Sequence, residues 1–238
     1  MKLFKNTLII SALTLFNLTA EEAKSPAAQP ETSSEWENLL EGNSLDKWRS
    51  MHKGKDGEYK AIGDRWQVKD GILSLDFDRE GRGGHIETKK NYFHFELKFD
   101  FNIKENCNSG VKYRCKHATG FEYQIIDDVN YRDNKIPSHR TAGLYEIAGI
   151  PEDRVLNPAG EWNTAKIVAN GNTIEHWLNG VKVLTIEYGS EDWKQRFEKS
   201  KYFRGGKMDF GTHVGPIHFQ DHSDTKIEFK NVFIRELK

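Results

Sequence analysis

With only two Cys, three Met and six Pro among 238 residues, this chain has few of the devices that staple or kink a small fold. Two thiols cannot build the multi-bridge framework of a disulfide-dense secreted domain, and the spacing of Cys107 and Cys115 is not that of a zinc site. If residues 111–116 run straight as a strand, the two sulfurs stand too far apart to join, so both are expected as thiols. Charge of one sign is also missing: 35 basic residues face 36 acidic ones, for a formal net charge of −1. Nucleic-acid binding needs a concentrated basic face, so a nucleic-acid partner is not expected. Beyond the N-terminus no apolar run approaches membrane-spanning length, and no membrane span is expected. The glycines of "GRGGH" (81–85) lack the strand-to-helix context of a dinucleotide fingerprint. No P-loop, H-E-x-x-H or G-x-S-x-G occurs either, so nucleotide, nicotinamide and serine-hydrolase chemistry have no support.

What is present begins with an export signal. Lys2 and Lys5 precede the short apolar run "TLIISALTLFNLTA", which ends on small residues, so residues 1–20 read as a signal peptide. No Cys lies near the expected cleavage point, and a lipid anchor there is not expected. The stretch 21–35 is polar and rich in Pro, Ala, Ser and Glu, which reads as a flexible linker. Residues 36–238 then suit one β-sandwich-sized domain.

Almost every local signal in 36–238 is β. "RWQVKDGILSLDF" places Asp70-Gly71 between two alternating runs, a strong hairpin cue. "FHFELKFDFNI" alternates Phe95, Leu97, Phe99, Phe101 and Ile103 against Glu96, Lys98, Asp100 and Asn102. "WNTAKIVANGNTIEHWLNGVKVLTIEY" reads as three strands turning near Asn170-Gly171 and Asn179-Gly180. One short helix is expected near 190–199, capped by Ser190, with Trp193 and Phe197 on one face. Many alternating strands without a βαβ rhythm predict an all-β fold, an antiparallel sandwich or jelly roll of two sheets.

Polar groups on strand faces are then the candidates for function. In "GFEYQIIDD", Phe121, Tyr123 and Ile125 share one face, and Glu122 and Gln124 share the other. Lys112 and Arg114 share a face in "GVKYRCK", as do His218, Gln220 and His222 in "HFQDHS". His176 sits between Ile174 and Leu178 on its own face, equally suited to the core and to a site. Retaining jelly-roll glycosidases need two carboxylates close together, but the neighbour of Glu122 is an amide. Asp127 falls on the opposite face unless the strand bulges, which weakens that mechanism.

The segments "LLEGNSLDKW", "WQVKDGIL", "NSGVKYR", "GFEYQIIDD", "GEWN", "HWLNG" and "FQDHS" occur in the order of one family. The chain resembles the 3-keto-disaccharide hydrolase domain, also described as a 3-keto-glucoside 1,2-lyase and 3-keto-2-hydroxy-glucal hydratase domain. The resemblance runs from about Trp36 to Lys238. It departs at Ser223, where many relatives carry Gly. It implies a concanavalin-like jelly roll, export to the periplasm or beyond, and action on glucosides already oxidised at C3 by a separate sugar dehydrogenase. The ketone acidifies the C2 proton; a base removes it, an oxyanion forms at O3, and the C1 aglycone is eliminated, with later hydration. On this reading Glu122 or His222 is the base, Arg114 and Gln124 hold O3 or nearby hydroxyls, and His176 or Tyr145 assists the leaving oxygen. Gln220 orients the ring, Trp162 stacks on it, and Asp127 is a further binding candidate. A divalent metal is an open alternative at O3, with Glu122, Asp127, His176 and His222 as ligand types. Two other functions stay in view: a non-catalytic carbohydrate-binding module, and a glycosidase acting on unoxidised glycans.

Overall fold

The structure, a computed structural model, describes residues 35–238 apart from Asp224. The expected signal peptide, and the linker up to residue 34, lie outside the described residues. Strands run in the order β1 (Glu37–Asn38), β2 (Trp48–Ser50), β3 (Trp66–Lys69), β4 (Ile72–Asp76), β5 (Ile86–Thr88), β6 (Phe95–Ile103) and β7 (Asn108–Lys116). They continue with β8 (Thr119–Ile126), β9 (Asn163–Asn170), β10 (Thr173–Leu178), β11 (Val181–Glu187), β12 (His218–Phe219) and β13 (Lys226–Glu236). One sheet has the order β11-β10-β9-β6-β13-β4-β3, with β1 added beside β13. The other has the order β2-β5-β12-β7-β8. Every strand pairing is antiparallel, and the two sheets form a concanavalin-like jelly roll.

The alternating runs make this architecture because each supplies one apolar face. Phe95, Leu97, Phe99, Phe101 and Ile103 are all buried. Phe99 packs against Tyr123 and Phe219 of the five-stranded sheet and against Phe229 of its own, so a single ring joins the two layers. The Asp70-Gly71 turn has both residues in the left-handed region, φ 51 and 76, as a two-residue hairpin matched to strand twist requires. Asn179-Gly180 repeats it at φ 48 and 81.

The expected helix forms as α1 (Glu191–Lys199), its first turn capped by Ser190 Oγ accepting from Trp193 N at 3.1 Å. Trp193 and Phe197 turn into the core. A second, four-residue helix, α2 (Lys201–Arg204), follows at once, capped by Ser200. It has no amphipathic period to announce it, and it bears on the site below. Cys107 and Cys115 are both buried and not joined to each other. No helix among the described residues is long and apolar enough to cross a membrane.

Candidate active site

The outer face of the five-stranded sheet carries a row of ionisable side chains at right angles to the strands. Register pairs run Arg49 with Glu87, Glu87 with His218, His218 with Lys112, and Lys112 with Glu122. Neighbours along the row touch at its two ends: Arg49 Nε donates to Glu87 Oε1 at 2.7 Å, and Lys112 Nζ stands 3.4 Å from Glu122 Oε2. This follows from strand parity, because Val111, Tyr113, Phe121, Tyr123 and Phe219 fill the core and their neighbours must face outward. Gly110 lies opposite Gln124, one step along β7 from this row. A Cβ on Gly110 would stand 2.6 Å from Glu122 Oε1, so the strand has no side chain where the carboxylate sits.

Facing outward does not leave Glu122 in water. Beyond β8 the chain doubles back along that strand's open edge, with Ala142 N donating to Gln124 O and Tyr145 N to Glu122 O. Tyr145 is thereby set beside Glu122. Lys201, at the start of α2, donates from Nζ to Tyr145 Oη at 3.0 Å and from its backbone N to Glu146 Oε2 at 3.0 Å. His139 lies under the Tyr145 ring, 4.4 Å between centroids, and its Nε2 is 3.2 Å from Glu146 Oε1. The result is a pocket of about 210 Å³ lined by Asn108, Lys112, Glu122, Gln124, Tyr145, Lys201, Tyr202, Gln220 and His222.

Glu122 is the one carboxylate among these lining residues. Burial holds its pKa above the usual carboxylate range, and Lys112 pulls against that shift. The Tyr145 phenol is pushed above its ordinary value, chiefly by burial and then by Glu122, so it keeps its proton. Because Lys201 donates to the phenol oxygen, the phenol's own proton is left to point elsewhere. Asn108 Oδ1, Gln124 Oε1, Gln220 Oε1 and His222 Nδ1 are buried with no hydrogen-bond partner among the described residues. Buried acceptors of this kind suit a ligand rich in hydroxyl donors.

Of the residues singled out from sequence, Glu122, Gln124, Tyr145, Gln220 and His222 line this pocket together. Four do not. Arg114 falls at a bulge between Tyr113 and Lys116, with φ 49, and the lost parity turns it away from Lys112's face. Its Nε donates to Phe93 O and its guanidinium lies 4.0 Å over the Phe93 ring. His176 is a core residue between the sheets, its ring nitrogens 2.7 Å from Tyr113 Oη and 2.9 Å from Ala142 O. Asp127 ties the loop after β8, accepting from the backbone of Asn106, Val129 and Asn130 and from Asn130 Nδ2. Trp162 immediately precedes β9, a strand of the other sheet, and lies under Lys230 Nζ at 4.0 Å. The four ligand-type residues Glu122, Asp127, His176 and His222 therefore do not form one donor set, and no group of three or more His, Cys, Asp or Glu placed to hold a metal ion occurs among the described residues.

Sequence reasoning missed Asn108, Lys201 and Tyr202 as lining residues, and named Lys112 only as a neighbour of Arg114. Asn108, Gly110 and Lys112 alternate on β7, so parity alone reaches the first and last of them. Nothing in "KSKYFRGG" foretells that α2 returns to cover Glu122.

Three buried or half-buried histidines give the fold an acid sensitivity. Burial lowers the pKa of His85 and His176 to about 4 and that of His218 to about 3. Below pH 6.5 the unfolded chain takes up protons at these rings that the folded protein refuses, so stability present above 6.5 is lost as pH falls towards 4. Glu122 acts in the opposite sense. Denaturant midpoints should therefore drop between pH 7 and pH 5; a midpoint that holds or rises would contradict this assignment.

A jelly roll with a partly open polar pocket on one sheet face suits the glycosyl hydrolase-like class that the comparisons indicate. The profile of the 3-keto-alpha-glucoside-1,2-lyase-like domain matches residues 35–235, and the chain belongs to that family. A Bacteroides thetaiotaomicron protein named 3-keto-disaccharide hydrolase is 25% identical over 237 residues, covering 84% of this chain and 77% of the relative. A crystal structure from Parabacteroides distasonis, provisionally named a glycosyl hydrolase, is 32% identical with TM-score 0.72, covering 85% of this chain and 94% of that one. A second such structure from the same organism is 26% identical, with TM-score 0.60 and coverage of 86% and 100%. A Bacillus subtilis protein with a galectin-like fold, 13% identical with TM-score 0.52 and coverage of 87% and 97%, shares the fold alone.

Proposed function

We propose that this chain cleaves 3-keto-glucosides by C2 proton abstraction and elimination of the C1 aglycone, after export and downstream of a separate dehydrogenase that makes the ketone. The observation that carries this reading is a single buried carboxylate paired with a cation in a pocket otherwise lined by neutral and basic groups. A glycosidase acting on unoxidised sugars needs a second carboxylate within reach, and the pocket lining holds none. Elimination beside a ketone needs one base.

Glu122 is the base. It accepts the C2 proton, and the electron pair passes into an enolate whose charge rests on O3. Neutralising Glu122 leaves the Lys112 ammonium without its counter-charge just as the oxyanion appears, so the cation stabilises the developing charge. The enolate then re-forms the ketone, C1=C2 forms, and the C1–O bond breaks. Tyr145 gives its proton to the departing oxygen, with Lys201 steadying the phenolate. Gln124, Gln220 and Asn108 accept from the remaining hydroxyls. Hydration of the resulting glucal adds water at C1 and returns a proton to C2.

Purified protein offered a 3-keto-glucoside should release the aglycone, and offered the unoxidised parent should not. Release from the parent would favour a conventional glycosidase, and binding of the keto sugar without release would favour a binding module.

A further inference from the structure

The ionisable row does not stop at the pocket holding Glu122. Two strands across the sheet, on the order of 10 Å from that carboxylate, a second and larger cavity of about 580 Å³ opens beside His218. Ala118 lines both cavities, and the lining residue Lys112 of the first is the register partner of the lining residue His218 of the second. The two are adjoining compartments on one sheet face.

The second compartment is built around buried polar groups. His218 is 2% exposed and Glu87 5%. His218 Nδ1 lies 3.4 Å from Glu87 Oε2, yet neither ring nitrogen has a hydrogen-bond partner among the described residues. Glu87 is the only acid lining this compartment, and Arg49 engages it at 2.7 Å. That leaves positive charge in excess. Lys53 has no carboxylate partner among the described residues; its ammonium lies 4.6 Å from the centre of the half-exposed Tyr59 ring, which Arg49 also covers at 4.1 Å. His52 adds a second basic side chain at the same rim.

The geometry points to this compartment, lined by Arg49, His52, Lys53, Tyr59, Glu87 and His218, as the seat of the leaving half of the substrate, and to an anionic group on that half as its preferred ligand. The inference rests on the proposed elimination at Glu122, because it takes the first compartment as the place of the oxidised ring. An aglycone leaving C1 then lies along the row, where Lys53 supplies the charge that Arg49 has already committed to Glu87. Tyr59 offers the ring edge, and His218 Nε2, the ring nitrogen away from Glu87, offers a hydrogen-bonding group for a polar substituent.

The test compares two 3-keto-glucosides, in both anomers, whose aglycones are para-(carboxymethyl)phenol and its neutral isostere para-(carbamoylmethyl)phenol. The methylene insulates the phenol, so the leaving groups are chemically matched and differ in charge. At low ionic strength kcat/KM should favour the carboxylate by about three- to fivefold, the size of one partly exposed ion pair. In Lys53→Gln the ratio should fall towards one, and added salt should do the same to the unaltered protein. Because the ratio is taken within one protein preparation, a loss of folded fraction cancels from it. Equal rates for both substrates, or a ratio untouched by Lys53→Gln, overturn the subsite while leaving the elimination in place. Release from neither overturns the elimination and the subsite with it.

Discussion

Replacing Glu122 with Gln should cut kcat on a 3-keto-glucoside by about 10²- to 10⁴-fold, the usual contribution of a positioned general base. The amide has nearly the shape of the carboxylate, so Gly110 still leaves room for it and the pocket walls need not move. Stability should fall as well, because the variant leaves the largely buried Lys112 ammonium without its counter-charge, so kcat is compared per folded molecule. Binding of the keto sugar should survive, since Gln124, Gln220 and Asn108 are untouched. The pH profile adds an independent readout. Burial raises the Glu122 pKa, so the acid limb of kcat/KM in the intact protein should lie above the ordinary carboxylate range. That limb should vanish from whatever activity remains in the variant. A fully active Glu122→Gln would remove the carboxylate from the chemistry and move attention to His222, which lines the same pocket.

His176→Ala should behave in the opposite way, costing stability rather than chemistry. The ring is fully buried, joins Tyr113 of one sheet to Ala142 beyond the end of β8, and packs 4.7 Å from the Tyr123 ring. Truncation leaves a buried phenol without its partner and opens a cavity, a loss of roughly 3–5 kcal/mol. For a domain of this size that corresponds to a melting temperature lower by on the order of 10 °C. Per folded molecule kcat should hold. The acid sensitivity should also lessen, because one of the rings that refuses a proton is gone. A hundredfold fall in kcat at an unchanged melting temperature would return His176 to the active site.

The strands were legible because alternation is a local property. β6, β8 and β9–β11 each carry an apolar face that names the core without knowledge of their neighbours, and Asp70-Gly71 and Asn179-Gly180 mark their turns. Glu122, Gln124 and Gln220 were legible as outward-facing residues that line the pocket for the same reason: parity forces them outward. Arg114 was misplaced where parity breaks, at a bulge whose positive φ no pattern of side chains declares. His176 was ambiguous because an imidazole satisfied by Tyr113 and a carbonyl looks, in sequence, the same as one awaiting a substrate. Lys201 and Tyr202 were invisible because their place depends on where a long excursion after β11 comes to rest. Ser223 shows the converse. The resemblance implies a glycine here, the backbone φ is 54, and the structure accommodates a side chain there in the left-handed region.

The missing side chain at Gly110 ties two neighbouring strands into one inheritance. The seat of the Glu122 carboxylate is hollowed from the backbone of the adjacent strand, so a change at one strand is felt at the other. A methyl group on one is an eviction notice for the other. A descendant of this chain that fills the bare stretch of main chain must therefore let its acid shift.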